Sequence, residues 1–306
     1  MIKLKIFFIS LSLILLSSTS AFSQNYIDIF KAGASTTPDN SFDTSTAKTK
    51  INQLEVDLTI PVKINDRFSI ISGLTYEAIQ TKLFPEDNMK SFGSATLKLG
   101  ANRQFNDNWS GTLVLLPKIA SDYKTVNNED FQMGTLALLK NKKSDNLIYK
   151  FGLYYNSELF GPFFVPMAGV YYLSENKKLE TNIMLPLQAD LNYNLIPLVT
   201  VGANFTGQTR TYNLNDIKTR HGGTYIARTT NEIYGYLKFN ITKSFSIQTK
   251  LGQSIGRSFR VYDENDKVTF SLPTIYIGHK RQPLNSDFSD GQIFQIVLLY
   301  RFNFNN

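Results

Sequence analysis

The sequence predicts an all-β fold, an antiparallel up-and-down β-barrel that crosses a membrane with about 12 to 14 strands, fourteen being preferred. Three observations carry this expectation. The last segment alternates: Phe294, Ile296, Leu298, Tyr300, Phe302 and Phe304 are apolar, with Gln295, Val297, Leu299, Arg301 and Asn303 between them. Successive side chains of a strand point to opposite faces, so this segment offers one aromatic-rich face to lipid and another to a wetter interior. The same period of two recurs along the chain, and no helical stripe competes with it. Connections alternate between short turns and long loops, as periplasmic turns and external loops do in outer-membrane barrels.

The chain opens on Met1, Lys3 and Lys5, then an apolar run at 6–16 and a small, polar stretch at 17–23. That is the layout of a secretory signal peptide, with cleavage expected between Ser23 and Gln24. The apolar run is shorter than the roughly 20 residues of a spanning helix. Residues 24–306 are read as one barrel domain, because no Pro/Gly/Ser-rich linker divides them. The first strand is expected at 26–34. In the second, 51–63, Leu54, Val56, Leu58, Ile60 and Val62 alternate with Glu55, Asp57, Thr59, Pro61 and Lys63. In the third, 67–79, Ile70, Leu74 and Tyr76 lie opposite Ser69, Thr75 and Glu77. Strands at 91–105, 108–120 and 130–140 follow. The strand at 147–157 sets Tyr149, Phe151 and Leu153 against Lys150 and Asn156. After 163–173 come two short strands, 178–185 and 187–194, joined by a tight turn at Pro186. Strands at 197–212, 225–241, 244–261 and 291–304 complete the set. Turn residues mark short connections at 65–66, 106–108, 142–146, 174–177 and 242–243. Long loops are expected at 35–50, 80–90, 121–129, 213–224 and 262–290, the last holding a strand-like stretch at 267–278. Tyr154, Tyr155, Tyr171, Tyr172, Tyr300 and Phe302 sit near strand ends, where barrels carry interfacial aromatic girdles.

Composition narrows the function classes. Lysines and arginines are scattered singly despite a formal net charge of +7, so no nucleic-acid footprint is seen. There is no cysteine, which excludes disulfides, thiolate metal sites and a lipid-anchoring Cys. An exported soluble β-sandwich shares the alternation, since sequence period alone does not say which face is inside. Repeated strands of about ten residues favour the membrane.

With the export signal, the closing Tyr300-Arg301-Phe302 segment and the turn pattern in hand, the chain resembles the broad class of bacterial outer-membrane β-barrels. In that class a C-terminal strand ending in an aromatic is the signal to the barrel-assembly machinery. The match here runs from Phe294 to Phe302, with Asn303 to Asn306 trailing. The segment Gly252 to Asp263 (GQSIGRSFRVYD), together with Leu284 to Phe294 and the closing strand, is similar to an uncharacterised barrel family known mainly from exported proteins of Bacteroidetes-like bacteria. The resemblance implies the outer membrane of a Gram-negative cell, with lipid and the assembly machinery as partners. It implies no active site.

Enzymes on barrels need a nucleophile, a base and an orienting group within reach. The only histidines, His221 and His279, are expected in solvated outer loops. The Ser-x-x-Lys spacings Ser45/Lys48 and Ser121/Lys124 also fall in loops, and the acidic run 263–266 reads as a solvated turn. Neither a cofactor nor a metal is expected. The informative residues are charges on the polar faces: Glu55, Asp57, Lys63, Glu77, Lys98, Arg103, Lys150, Glu180, Asp190, Lys238, Lys250 and Arg301. Facing lipid at mid-membrane, a charge would cost about 2–4 kcal/mol, so all twelve are expected to face the lumen. There they pair across the interior or line a wet channel. About eight strands already close on a packed core, so a wider barrel leaves a cavity or pore, capped by the 262–290 excursion. The reading is a passive pore or transport barrel for small solutes. The alternatives are a non-conducting structural or surface-binding barrel and an outer-membrane lipid-modifying enzyme.

Overall fold

The computed structural model describes residues 26–219, 222–278 and 280–303; the expected signal segment, His221, His279 and the last three residues lie outside the described residues. Fourteen antiparallel strands form the wall: β1 (Tyr26–Thr36), β2 (Asn52–Asn65), β3 (Phe68–Thr81), β4 (Lys90–Gln104), β5 (Trp109–Ser121), β6 (Phe131–Ser144), β7 (Leu147–Glu158), β8 (Gly161–Leu173), β9 (Leu179–Leu185), β10 (Gln188–Ile196), β11 (Val199–Thr219), β12 (Gly222–Asn240), β13 (Phe245–Ser254) and β14 (Gln292–Asn303). Each pairs with the next, and β14 pairs back onto β1 from Tyr26↔Asn303 to Thr36↔Phe294. Closure leaves the sheet without an edge, which is what a spanning sheet requires. Among the described residues no helix is long and apolar enough to cross a membrane.

Directly opposed residues of neighbouring strands share a face, so register sorts the side chains. Leu74↔Leu97 and Leu99↔Leu115 point outward and are exposed, as are Phe151, Leu237, Phe294 and Ile296. In water a girdle of this extent would be an anomalously large apolar patch; hydrocarbon around the barrel satisfies it. Tyr155, Tyr172 and Tyr300 belong to this outer face. Tyr154 and Tyr171 do not, contrary to the girdle expectation: they share the inner face with Lys150 and Gly169, and Tyr171 is buried.

The turn at Pro186 is tight, with Leu187 N donating to Met184 O at 3.1 Å, and the two strands it joins are short. At the long-loop end the structure departs from the sequence reading twice. Residues 213–224 are not a loop, because β11 and β12 continue as a hairpin to Thr219 and Gly222. The 244–261 segment is not one strand. β13 ends at Ser254, and a second piece, Ser258–Asp263, resumes beside Thr224–Thr229 of β12. The reason is geometric: β14 begins only at Gln292, opposite Gln253, and the register along β12 shifts by one residue between Glu232↔Ser254 and Thr229↔Ser258. Gly256, at φ +64°, makes the break. Asp290 clamps it, accepting from Gly256 N at 2.7 Å and Arg257 N at 2.9 Å. Burial opposes charge on this carboxyl, but those backbone N–H groups and Arg257 hold it below the usual carboxylate range.

Two outcomes test this picture. Leu115, 47% exposed at mid-strand, is expected on replacement by Arg to destabilise the barrel by about 2–4 kcal/mol in urea titrations in lipid vesicles. Asp290→Ala is expected to speed amide exchange at Gly256 and Arg257 at neutral pH. Because the folded carboxyl is held down, the parent keeps this protection above the ordinary carboxylate range and loses it as pH falls through the lowered value.

Candidate functional site

The interior of the barrel is the site, and the β11–β12 hairpin divides it. Above Thr206, β11 has no β10 beside it, because the short β9–β10 hairpin ends at Leu187. The free edge turns inward and finds partners across the mouth. Asn213 pairs with Ser121 of β5, and Thr211 N donates to Glu158 Oε2 of β7 at 2.7 Å. Gln132 of β6 donates to Thr211 O at 3.1 Å. One face of the hairpin presents Tyr212, Leu214 and Ile226 to a buried core with Ile79 and Phe92 from the wall and Leu83, Phe259, Val261 and Phe288 from the outer loops. The other face presents Tyr225 to a second core with Phe160, Phe163, Val165, Tyr262 and Val268. The 262–290 excursion, expected to be the cap, contributes only part of it; wall strands folded inward supply the rest.

Below the cap lies an ionic layer. Glu77 of β3 is fully buried. Its Oε2 accepts from Arg210 Nη1 and from Tyr212 OH, both at 2.7 Å; its Oε1 accepts from Arg228 Nη1 at 2.5 Å and Gln53 Nε2 at 2.9 Å. Arg210 and Arg228 are opposed on the β11–β12 hairpin, far from β3 in the order of the wall, so these bonds span the lumen. A second tie brings Lys118 Nζ to 3.7 Å from Glu158, whose Oε2 also accepts from Thr211 Oγ1 at 2.6 Å.

The register places eleven of the twelve sequence-selected charges on the inner face. Glu55 opposes Glu77, and Asp57 opposes Thr75 and pairs with Lys98. Lys63 is held at the rim by Asp66 at 2.9 Å. Asp190 accepts from Tyr236 OH at 3.0 Å. Glu180 accepts from Tyr26 OH at 2.5 Å, and Arg301 stacks on the Tyr26 ring and donates to Asp28 at 2.7 Å. Lys250 lies over the Tyr234 ring, and Lys150 donates to Asn182 at 2.6 Å. Lys238 is buried on the same face. Arg103 is the correction. It opposes Phe68 and is exposed on the outer face near the short-turn end, because it lies five positions from Lys98 and an odd spacing on one strand reverses the side. There its long stem lets the guanidinium reach the interface.

Between the ionic layer and the short-turn end the lumen is hollow. Tyr26, reaching from β1 to Glu180 of β9, lines both of its chambers. One chamber, of about 240 Å³ against β2–β7, holds Lys140, Lys142 and Lys150 with Asp107 as its carboxylate. The other, of about 1030 Å³, holds Lys177, Lys178, Lys238, Lys243 and Arg301 with Glu180.

The candidate catalytic spacings do not assemble. Ser45 Oγ and Ser121 Oγ accept from the backbone N–H groups of Ala47 and Tyr123, as turn hydroxyls do. Among the described residues no group of three His, Asp or Glu is placed to hold a metal. Sequence reasoning missed Arg210, Arg228, Lys118, Glu158 and Lys140. The signal was present for Lys140, on the face opposite Ala137 and Leu139, but it sat at an assumed strand end. Nothing in the local pattern says that the β11–β12 hairpin folds inward. Glu77→Gln is expected to destabilise the protein by about 3 kcal/mol, since it leaves buried Arg228 without its counter-charge, as measured by urea unfolding in vesicles.

Comparison with known proteins adds a family. Solved structures similar to this chain include the COG4313 outer membrane channel from Pseudomonas putida F1, 8% identical over 93% of this chain and all of that one, with a TM-score of 0.46. A TodX monoaromatic hydrocarbon channel mutant is 11% identical over 90% of each chain, with a TM-score of 0.38. A NanC porin is 8% identical over 89% of this chain and 98% of its own, with a TM-score of 0.34. No curated protein sequence matches. The model of the family described as "Domain of unknown function (DUF6268)" matches residues 19–281, and the chain belongs to that family.

Proposed function

We propose that this protein is a gated passage for small solutes in the outer membrane, with the β11–β12 hairpin as its gate. The observation that carries the reading is the hairpin itself. It blocks a polar-walled barrel, yet above Thr206 β11 has no wall strand along it, and apart from the backbone tie at Asn213 and Ser121 it is held across the lumen by side chains: Glu77 on Arg210 and Arg228, Glu158 on Thr211. Each of these polar contacts is one that water can replace when the hairpin leaves. The chambers below supply a solvated path from the short-turn end. In this reading residues 1–23 are a cleaved export signal of a Gram-negative cell. The closing strand addresses the assembly machinery, the lipid-facing girdle fixes the location, and the role is transport rather than catalysis.

A second reading, a non-conducting barrel, is favoured by how completely the mouth is filled: Phe160, Tyr212 and Ile226 have no exposed surface. The two separate on one double variant. The chain has no native cysteine, so Ser121→Cys with Asn213→Cys, at directly paired positions, gives a single possible bridge. In planar bilayers the reduced protein is expected to conduct and the oxidised protein to be silent, with reductant restoring current. Equal conductance in both states would remove the hairpin as the gate. Silence in both would leave the non-conducting barrel.

A further inference from the structure

We infer that the smaller lumen chamber is an anion-binding site, built around Lys140 and Lys150, for a small solute carrying carboxylate or phosphate groups. Lys140 and Lys150 are directly opposed on β6 and β7 and share the inner face. Two like charges in that relation repel each other unless something sits between them. Neither makes an ion pair among the described residues. Lys150, which is 7% exposed, donates to the neutral amide of Asn182 and lies 5.7 Å from the centroid of the Tyr171 ring. Among the described residues the Lys140 ammonium makes no hydrogen bond. Other lumen charges are matched, Glu77 with two arginines, Asp57 with Lys98 and Asp28 with Arg301, while Lys238 and Lys250 stand, like these two, outside the ion pairs among the described residues.

The chamber is otherwise a polar cradle. Asn102 and Thr112, hydrogen-bonded to each other at 2.7 Å, lie on its wall and offer neutral groups to a bound oxyanion. Lys142 stands at the rim, paired at 2.6 Å with exposed Asp145. A volume of about 240 Å³ suits a small dicarboxylate or inorganic phosphate and excludes large solutes. The neighbouring basin, with four lysines and an arginine against one carboxylate, gives an anion a favourable approach from the short-turn end. A neutral solute would leave the two lysines uncompensated, and a cation would add to their repulsion. The inference names the solute class of the proposed passage and so rests on that reading for its role, but its test does not.

The test is calorimetric titration of the full protein in neutral detergent with inorganic phosphate, with succinate and with uncharged lactose, at low ionic strength. Saturable binding of one or both anions and none of lactose is expected, and which anion binds more tightly distinguishes the two chemistries. Lys140→Gln with Lys150→Gln is expected to weaken binding about tenfold or more, while Lys150→Arg, which keeps the charge, retains it. The unliganded double Gln variant is expected to melt no lower than the parent, and phosphate to raise the melting temperature of the parent alone. Absence of saturable anion binding, or binding unchanged in the double variant, overturns the inference. A protein that binds anions but never conducts keeps this site and loses the passage. One that conducts without anion binding keeps the passage and loses this site.

Discussion

The structure depends on one constraint: inside hydrocarbon, every backbone N–H and C=O needs a protein partner. The β1–β14 ladder meets it by removing the last edges of the sheet. Once the ring is closed, register is no longer free, because slipping a strand by one residue would exchange its lipid and lumen faces. The same requirement explains the interior. Two short strands, β9 and β10, take away the neighbour of upper β11, whose backbone groups must then be satisfied elsewhere. They find Glu158, Gln132 and Ser121 across the mouth, and the hairpin is drawn inward. The notch left by a short hairpin and the plug in the mouth are therefore two ends of one geometric fact.

What holds the plug is divided by depth. Near its tip the hairpin packs on two apolar cores, whose exposure on opening is unfavourable. Lower down it is fixed by Glu77 and its two arginines. An ionic tie of this kind is weak as a source of net stability against an apolar equivalent, but strict about geometry. It sets which register of the hairpin closes the lumen. If the hairpin is the gate proposed above, the apolar cores make the closed arrangement the resting one, and opening calls for something with higher affinity for the open state.

Much of this was legible in the sequence, for a plain reason. A barrel wall repeats one rule, period two between turn signals, and segments such as 51–63 and 291–304 state it without ambiguity. The wall therefore came out at fourteen strands, and even the turn at Pro186 fell in place. What escaped has a physical reason as well. The rule assigns a face, but it does not say where a strand leaves the wall. The local pattern around Arg210 and Arg228 does not differ from that of a wall strand, yet Tyr212 and Tyr225 bury opposite faces of one hairpin in two different cores. Tyr154 and Tyr171 read as girdle aromatics because tyrosine suits both an interface and a wet interior. Arg103 was assigned by its charge although parity argued the other way, and an arginine near a strand end tolerates the outer face.

The charges separate the lumen into two regimes. In the outer half, Glu77 is matched by two arginines and Glu158 by Lys118, and side chains of the hairpin fill the space around them. In the half toward the short turns, Lys140, Lys150 and Lys238 make no ion pair among the described residues, and they line hollow space. These two properties go together. Buried charge is tolerated when a partner or water reaches it, so unmatched lysines require that the cavity around them stay open to solvent or to a counter-ion. Packing the chamber with apolar side chains would strand them. Removing their charge would leave a polar hollow with nothing to attract a solute. An open chamber of surplus positive charge beneath a filled mouth is thus a built arrangement: in the proposed passage, the hairpin would set when the barrel is continuous, and the lysines would set which solutes gather behind it.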